Sequence, residues 1–197
     1  MRTITAICIA ILGITAANAT DRQDGAWYSG FFVKGAAGLG SNFVKSGEYP
    51  IGTQYEFRGG GSLGYSLRKV EIAITANYHD EFYAVKNGYV IYRKYSGLDA
   101  GLECRVPIVK KEGAYCQREY GIGGVVGGCF DKYDELDQYM IYPQGTVELF
   151  AALNPRGRMT FLSMGVVVPI RYAFRTAGHY MGIGLAVEMG LRVPQKT

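Results

Sequence analysis

Charged residues are scattered along the polar rows of several alternating stretches of this chain. Lys34, Arg58, Arg93, Arg105, Arg171 and Arg192 stand against Glu71, Asp99, Glu103, Glu119, Glu148 and Glu188, six of each sign. Side chains two apart on an extended strand share a face. A closed sheet with these residues on its inner face brings both signs together, and buried charges need such partners. The chemistry this spacing offers is ion pairing in an enclosed space, either as a plug or as the lining of a gated channel. An eight-stranded barrel is about filled by its own side chains, which favours the plug.

The other candidates are sparser. His79 and His179 are the two histidines. His79 precedes Asp80 near one strand end, and no serine stands at a telling spacing to either, so no catalytic residue is assigned. Asp131-Lys132-Tyr133-Asp134-Glu135-Leu136-Asp137 is an acidic stretch read as a solvated loop. It lacks the glycine and terminal glutamate of an EF-hand, so no metal ligand and no cofactor is assigned. Cys104, Cys116 and Cys129 face an oxidising compartment if the chain is exported. A hairpin centred on Lys111 makes Cys104 and Cys116 diagonal neighbours, so a disulfide between them is geometrically possible. That centring also sets Glu103 beside Glu119, with Arg105 close to both.

The elements that must hold these residues are strands. Over Tyr180–Val193, Met181, Ile183, Leu185, Val187, Met189, Leu191 and Val193 alternate with small or polar residues. A membrane-crossing tilted strand needs roughly 9–11 residues, and this stretch exceeds that. Similar alternation occurs at Trp27–Leu39, Tyr55–Leu67, Val70–His79, about Val90–Val106, about Gln117–Phe130, Ile141–Leu153 and about Met159–Phe174. Loops are expected over Gly40–Thr53, Asp80–Gly88 and Asp131–Tyr139, with turns at Arg68-Lys69, Lys110-Lys111-Glu112-Gly113 and Asn154-Pro155-Arg156-Gly157. The two-residue link at Arg68-Lys69 sets Leu67 opposite Val70, Tyr65 opposite Ile72 and Arg58 opposite His79, with both faces consistent. Pro169 inside the seventh stretch predicts a bulge or local break. The fold class expected is all-β, an eight-stranded antiparallel up-and-down transmembrane β-barrel.

A soluble calyx would turn the apolar faces inward. Two features argue for apolar faces outward. The polar faces are rich in glycine and scattered charge, which suits a crowded interior. The apolar faces carry Trp27, Tyr55, Tyr65, Tyr78, Tyr120, Tyr172 and Phe174, as an interfacial aromatic girdle would.

Residues 1–19 read as a signal peptide, from Arg2 through the apolar run Ile4–Ile14 to Ala17-Asn18-Ala19, and residues 20–197 as the barrel. Removing the leader takes away Arg2 and Cys8, which lowers the formal charge from +4 to +3 and leaves three of the four cysteines. So modest a charge, without a basic cluster, makes no case for nucleic acid. No apolar run of transmembrane-helix length remains after cleavage.

The leader, the eight amphipathic stretches, the glycine-rich polar faces and the final apolar-alternating strand together resemble small bacterial outer-membrane barrels of the OmpA, OmpX, Opa and OmpW kind. The resemblance spans the mature chain and is architectural. It implies location in the bacterial outer membrane and a non-enzymatic, monomeric barrel. Its implied partners are outer-membrane lipid, the barrel-assembly machinery, and either host molecules at the loops or a small hydrophobic solute passing as through an OmpW-like channel. A lipid-modifying enzyme on the same scaffold is a remoter implication. One departure stands out: such barrels usually end in Phe or Tyr, whereas here Val193 is followed by Pro194-Gln195-Lys196-Thr197.

Overall fold

A computed structural model describes residues 30–45, 54–67, 69–84, 91–113, 116–133, 137–155, 161–175 and 178–194. The leader expected over 1–19 and Trp27 lie outside the described residues. Eight strands follow in order: β1 (Gly30–Lys45), β2 (Gln54–Leu67), β3 (Val70–Ala84), β4 (Ile91–Glu112), β5 (Cys116–Tyr133), β6 (Gln138–Pro155), β7 (Phe161–Arg175) and β8 (Gly178–Pro194). Each pairs antiparallel with the next, and β1 pairs with β8 from Gly30↔Pro194 to Lys45↔His179, which closes the barrel. Closure leaves no strand edge to be satisfied by a solvent that cannot hydrogen-bond.

The alternation in the sequence becomes an inside and an outside. Leu39, Ile74 and Ile141 are about 70, 69 and 79% exposed, and the whole β8 row from Met181 to Val193 faces outward. Tyr55, Tyr78, Tyr120 and Tyr172 are exposed on that surface too. The buried set is the reverse of a soluble core. It contains Lys34, Glu56, Glu71, Asp99, Glu103, Arg105 and Arg171, with only a few apolar side chains such as Phe32 and Phe150. Water would not leave so continuous an apolar belt uncovered, whereas hydrocarbon suits it.

The β2–β3 hairpin has the register expected from its two-residue link: Leu67↔Val70, Tyr65↔Ile72 and Arg58↔His79. The β4–β5 hairpin does not. β4 continues through Glu112, Lys110 stands opposite Glu119, and the Gly113 amide donates to the Cys116 carbonyl at 2.9 Å. Glu103 therefore lies across from Val125 and Cys104 from Gly124, not beside Glu119 and Cys116. The Lys-Lys-Glu run has turn-like composition, but a strand that emerges beyond an apolar belt can carry charges on both faces.

Three other stretches expected as loops are partly strand. β1 reaches Lys45, β3 reaches Ala84 and β5 reaches Tyr133. Pro169 does not break β7 or shift its register. It sits where the β7–β8 ladder is interrupted between Val167↔Ala186 and Ile170↔Ile183, while its pairing with Glu148 on β6 persists. Proline has no amide hydrogen to donate, so one side of its ladder must lapse. Register shifts fall instead between Glu81 and Phe82 opposite β4, and between Pro107 and Val109 opposite β5.

Candidate functional site: the charged lumen

The inward rows form two ionic clusters, one near each end of the barrel. The inner cluster lies toward the Gly30 and Pro194 ends of β1 and β8 and is built on Arg105. Its guanidinium meets Glu188 through two hydrogen bonds of 2.6 Å, Glu148 at 2.8 Å and Glu103 at 2.7 Å. This is a forked, charge-assisted arrangement that only arginine provides. Lys34 bonds Glu71 at 2.7 Å and lies 3.8 Å from Glu103, and Arg192 joins Glu71 from β8. Phe32 lies under both cations: Lys34 Nζ is 4.4 Å and the Arg192 guanidinium 5.5 Å from its ring centre. Glu119 is buried at the same end.

The outer cluster lies toward the opposite rim. Arg58 spans Glu56 at 3.0 Å and Asp99 at 2.7 Å, and Arg171 also pairs with Glu56. His79 is wholly buried, with Nε2 2.9 Å from Asp131 and Nδ1 3.6 Å from Asp99. Tyr142 donates its hydroxyl to the other Asp131 oxygen, and the Cys129 thiol donates to Gln144 at 3.2 Å. Asn77 adds a 2.9 Å bond to Asp99. Behind this polar surface lies a small apolar patch of Cys129, Tyr142 and Ala173.

Of the twelve charges singled out from the sequence, eleven thus stand in the interior, nine of them deeply buried and Arg58 and Glu188 less so. Arg93 is across from Phe82 in the backbone register, after the shift beside Glu81, and its side chain lies outside the described residues. Four members lie outside those twelve: Glu56 and His79 stand on the polar rows of β2 and β3, and Glu81 and Asp131 fall in stretches expected as loops. Continuing the inward rows by two residues, from His79 to Glu81 and from Cys129 to Asp131, finds the last two.

Between the clusters is a polar cavity of about 60 Å³, bordered by Arg58, Asn77, Asp99, Glu103, Arg105 and Gln144 among others. A liquid water occupies about 30 Å³, so this space suits a few waters. A second cavity, of about 30 Å³, lies beside Pro169, between Gly38, Glu56, Arg58 and Gly184.

The three described cysteines are thiols, and the Cys104–Cys116 bridge is not formed. Cys104 pairs with Gly124, eight ladder positions from Cys116. At about 3.4 Å per residue that is roughly 27 Å, far beyond the 7 Å limit for a bridge. The folded mature chain is therefore expected to migrate identically with and without reductant. Alkylation should label Cys129 only after denaturation, since that thiol is buried. A Cys104–Cys116 cross-linked peptide in a digest would overturn the β4–β5 register.

Among solved structures the chain is similar to Neisserial surface protein A (NspA), at 10% identity over 87% of this chain and all of that one, with a TM-score of 0.51. Ail, the attachment invasion locus protein of Yersinia pestis, matches at 11% identity over 83% and 98% of the two chains, with a TM-score of 0.33. The N-terminal β-barrel domain of Pseudomonas aeruginosa OprF matches at 15% identity over 82% and 98%, with a TM-score of 0.38. No family model matches the chain, and neither does any curated protein sequence. At such identities the likeness is one of fold, and the closed eight-strand topology with its apolar exterior and ionic interior agrees with it. The chain is a closed eight-stranded antiparallel barrel, similar in fold to a small outer-membrane barrel.

Proposed function

We propose that this chain is a bacterial outer-membrane protein whose barrel is a closed, ion-paired anchor for surface-exposed connections, and that its role is structural or in contact with a host or the surroundings rather than enzymatic. One observation carries the reading. The lumen is crossed by two ion-paired clusters, and the cavity left between them is about 60 Å³. On this reading the barrel-assembly machinery inserts the chain after export, lipid is its main partner, and it acts as a monomer. The strand ends at Lys45, Ala84, Tyr133 and Arg175 share the rim opposite Gly30 and Pro194, and on this reading the connections made there would meet host molecules.

Planar-bilayer recording tests this. The purified, folded barrel is expected to give no reproducible conductance steps in molar salt. Regular single-channel steps from several preparations would overturn the plugged reading.

A second reading, sideways passage of a small hydrophobic solute, has one observation in its favour. The interrupted β7–β8 ladder at Pro169 faces the small cavity beside Gly184. On that reading, cross-linking β7 to β8 would abolish uptake of the solute, whereas the anchor reading expects no effect.

A further inference from the structure

We propose that the outer cluster is a binding site for one divalent transition-metal ion such as zinc, held by His79 Nε2 and the carboxylates of Glu81 and Asp131. The three side chains come from the two strands that flank β4, His79 and Glu81 from β3 and Asp131 from β5, and all three are wholly buried. Their candidate ligand atoms lie within 4.8 Å of one another, and Nε2 is 2.9 Å from an Asp131 oxygen. Ligand atoms about 2.0–2.2 Å from zinc stand roughly 3.3 Å apart in a tetrahedron, so modest side-chain rotation closes the set. An imidazole with two carboxylates is a donor set for zinc and its first-row neighbours rather than for the all-oxygen cations. Water would complete the coordination.

Three features mark a built site rather than a chance meeting of polar groups. First, both nitrogens of the fully enclosed His79 ring face carboxylates, Nε2 at 2.9 Å from Asp131 and Nδ1 at 3.6 Å from Asp99, and neither contact has hydrogen-bond geometry. An imidazole lone pair turned on a carboxylate is unfavourable, and an ion between Nε2 and Asp131 would satisfy both. Second, the outer shell that orients metal ligands is present. Asp99 lies 3.6 Å from Nδ1 on the side away from the proposed ion, and Tyr142 holds the second oxygen of Asp131. Third, β4 makes room for the Asp131 carboxylate at Gly97, where an added Cβ would collide with that carboxylate and with the Phe130 carbonyl.

Cys129 offers a competing set with His79 and Asp99. The assignment to Glu81 and Asp131 follows from the nitrogen that faces Asp131, and from the thiol being turned to Gln144.

The test uses the folded mature barrel in detergent, stripped with a chelator and titrated with zinc chloride, with binding followed calorimetrically. One zinc per barrel is expected, with affinity lowered at least tenfold in His79→Gln and in Asp131→Asn and unchanged in His179→Gln, the only other histidine in the chain. X-ray absorption of the wild-type zinc complex should show only nitrogen and oxygen neighbours at about 2.0–2.1 Å, a readout that does not require the variants to fold. Three results would each overturn the site: no saturable one-to-one binding by the folded wild-type barrel, a sulfur neighbour near 2.3 Å, or a folded His79→Gln barrel that binds zinc as the wild type does.

Discussion

Replacing Arg105 with methionine is expected to destabilise the folded barrel by about 3–5 kcal/mol, the range for breaking a buried ionic network by removing one partner. Arg105 is almost fully buried and engages Glu103, Glu148 and Glu188 at once. Methionine fills much of the same space, so the loss is of charge and not chiefly of volume. Three carboxylates would then share an interior with Lys34 as the nearest remaining cation, 3.8 Å from Glu103. Urea unfolding in lipid vesicles, followed by heat-modifiable gel migration, measures the change. The same network replaced as a unit should behave differently. Arg105→Met combined with Glu148→Gln and Glu188→Gln should recover most of the loss, because neutral amides need no counter-charge and desolvation no longer opposes folding. A single Arg105→Met variant within about 1 kcal/mol of wild type, the worth of an exposed pair, would show that water reaches this cluster and that the lumen is not plugged there.

That experiment also separates what the sequence carried from what it did not. The inward rows were legible because period two is geometrically strict: Lys34, Glu71, Arg105, Glu148, Arg171 and Arg192 could only lie on the face opposite the apolar row. The β2–β3 register was legible for a related reason, since a two-residue link admits one pairing that keeps Leu67, Tyr65 and Leu63 on the same side as Val70, Ile72 and Ile74. The β4–β5 register was not. Lys110, Lys111 and Glu112 carry a loop's composition, which hides both the length of β4 and the one-residue shift in pairing between Pro107 and Val109. The same ambiguity hid Glu81 and Asp131. Outside the apolar belt a strand has no hydrocarbon face to declare itself, so its polar inward residues look like loop. Which carboxylate meets which guanidinium lay beyond reach as well. Arg171 on β7 and Glu56 on β2 are brought together only by closure of the sheet, and no local pattern encodes a contact across the lumen.

Leu185→Arg is expected to block membrane insertion, while Gly184→Ala, one residue away, leaves an assembled barrel. The two positions point to opposite sides of β8. Leu185 stands near the middle of the strand, opposite Leu39 in the closing ladder, and is exposed on the outer surface. An arginine at the bilayer midplane of such a barrel costs about 2–4 kcal/mol, falling to about 0–1 near the interfaces. Val193→Arg, at the end of the same outward row, should therefore be nearly silent. Gly184 points inward beside Pro169. An added Cβ would lie 3.0 Å from the Leu39 carbonyl oxygen and 3.3 Å from the Pro169 ring, so the neighbours must yield by a few tenths of an ångström. Overpacking of that order costs about 1–3 kcal/mol, and the cavity of about 30 Å³ beside it gives some room to yield. Insertion into lipid vesicles, read by protease protection and heat-modifiable migration, ranks the three variants. The expected order of damage is Leu185→Arg, then Gly184→Ala, then Val193→Arg. Equal tolerance of arginine at 185 and 193 would mean that the outward row meets no hydrocarbon gradient, and a transmembrane orientation of β8 could not stand.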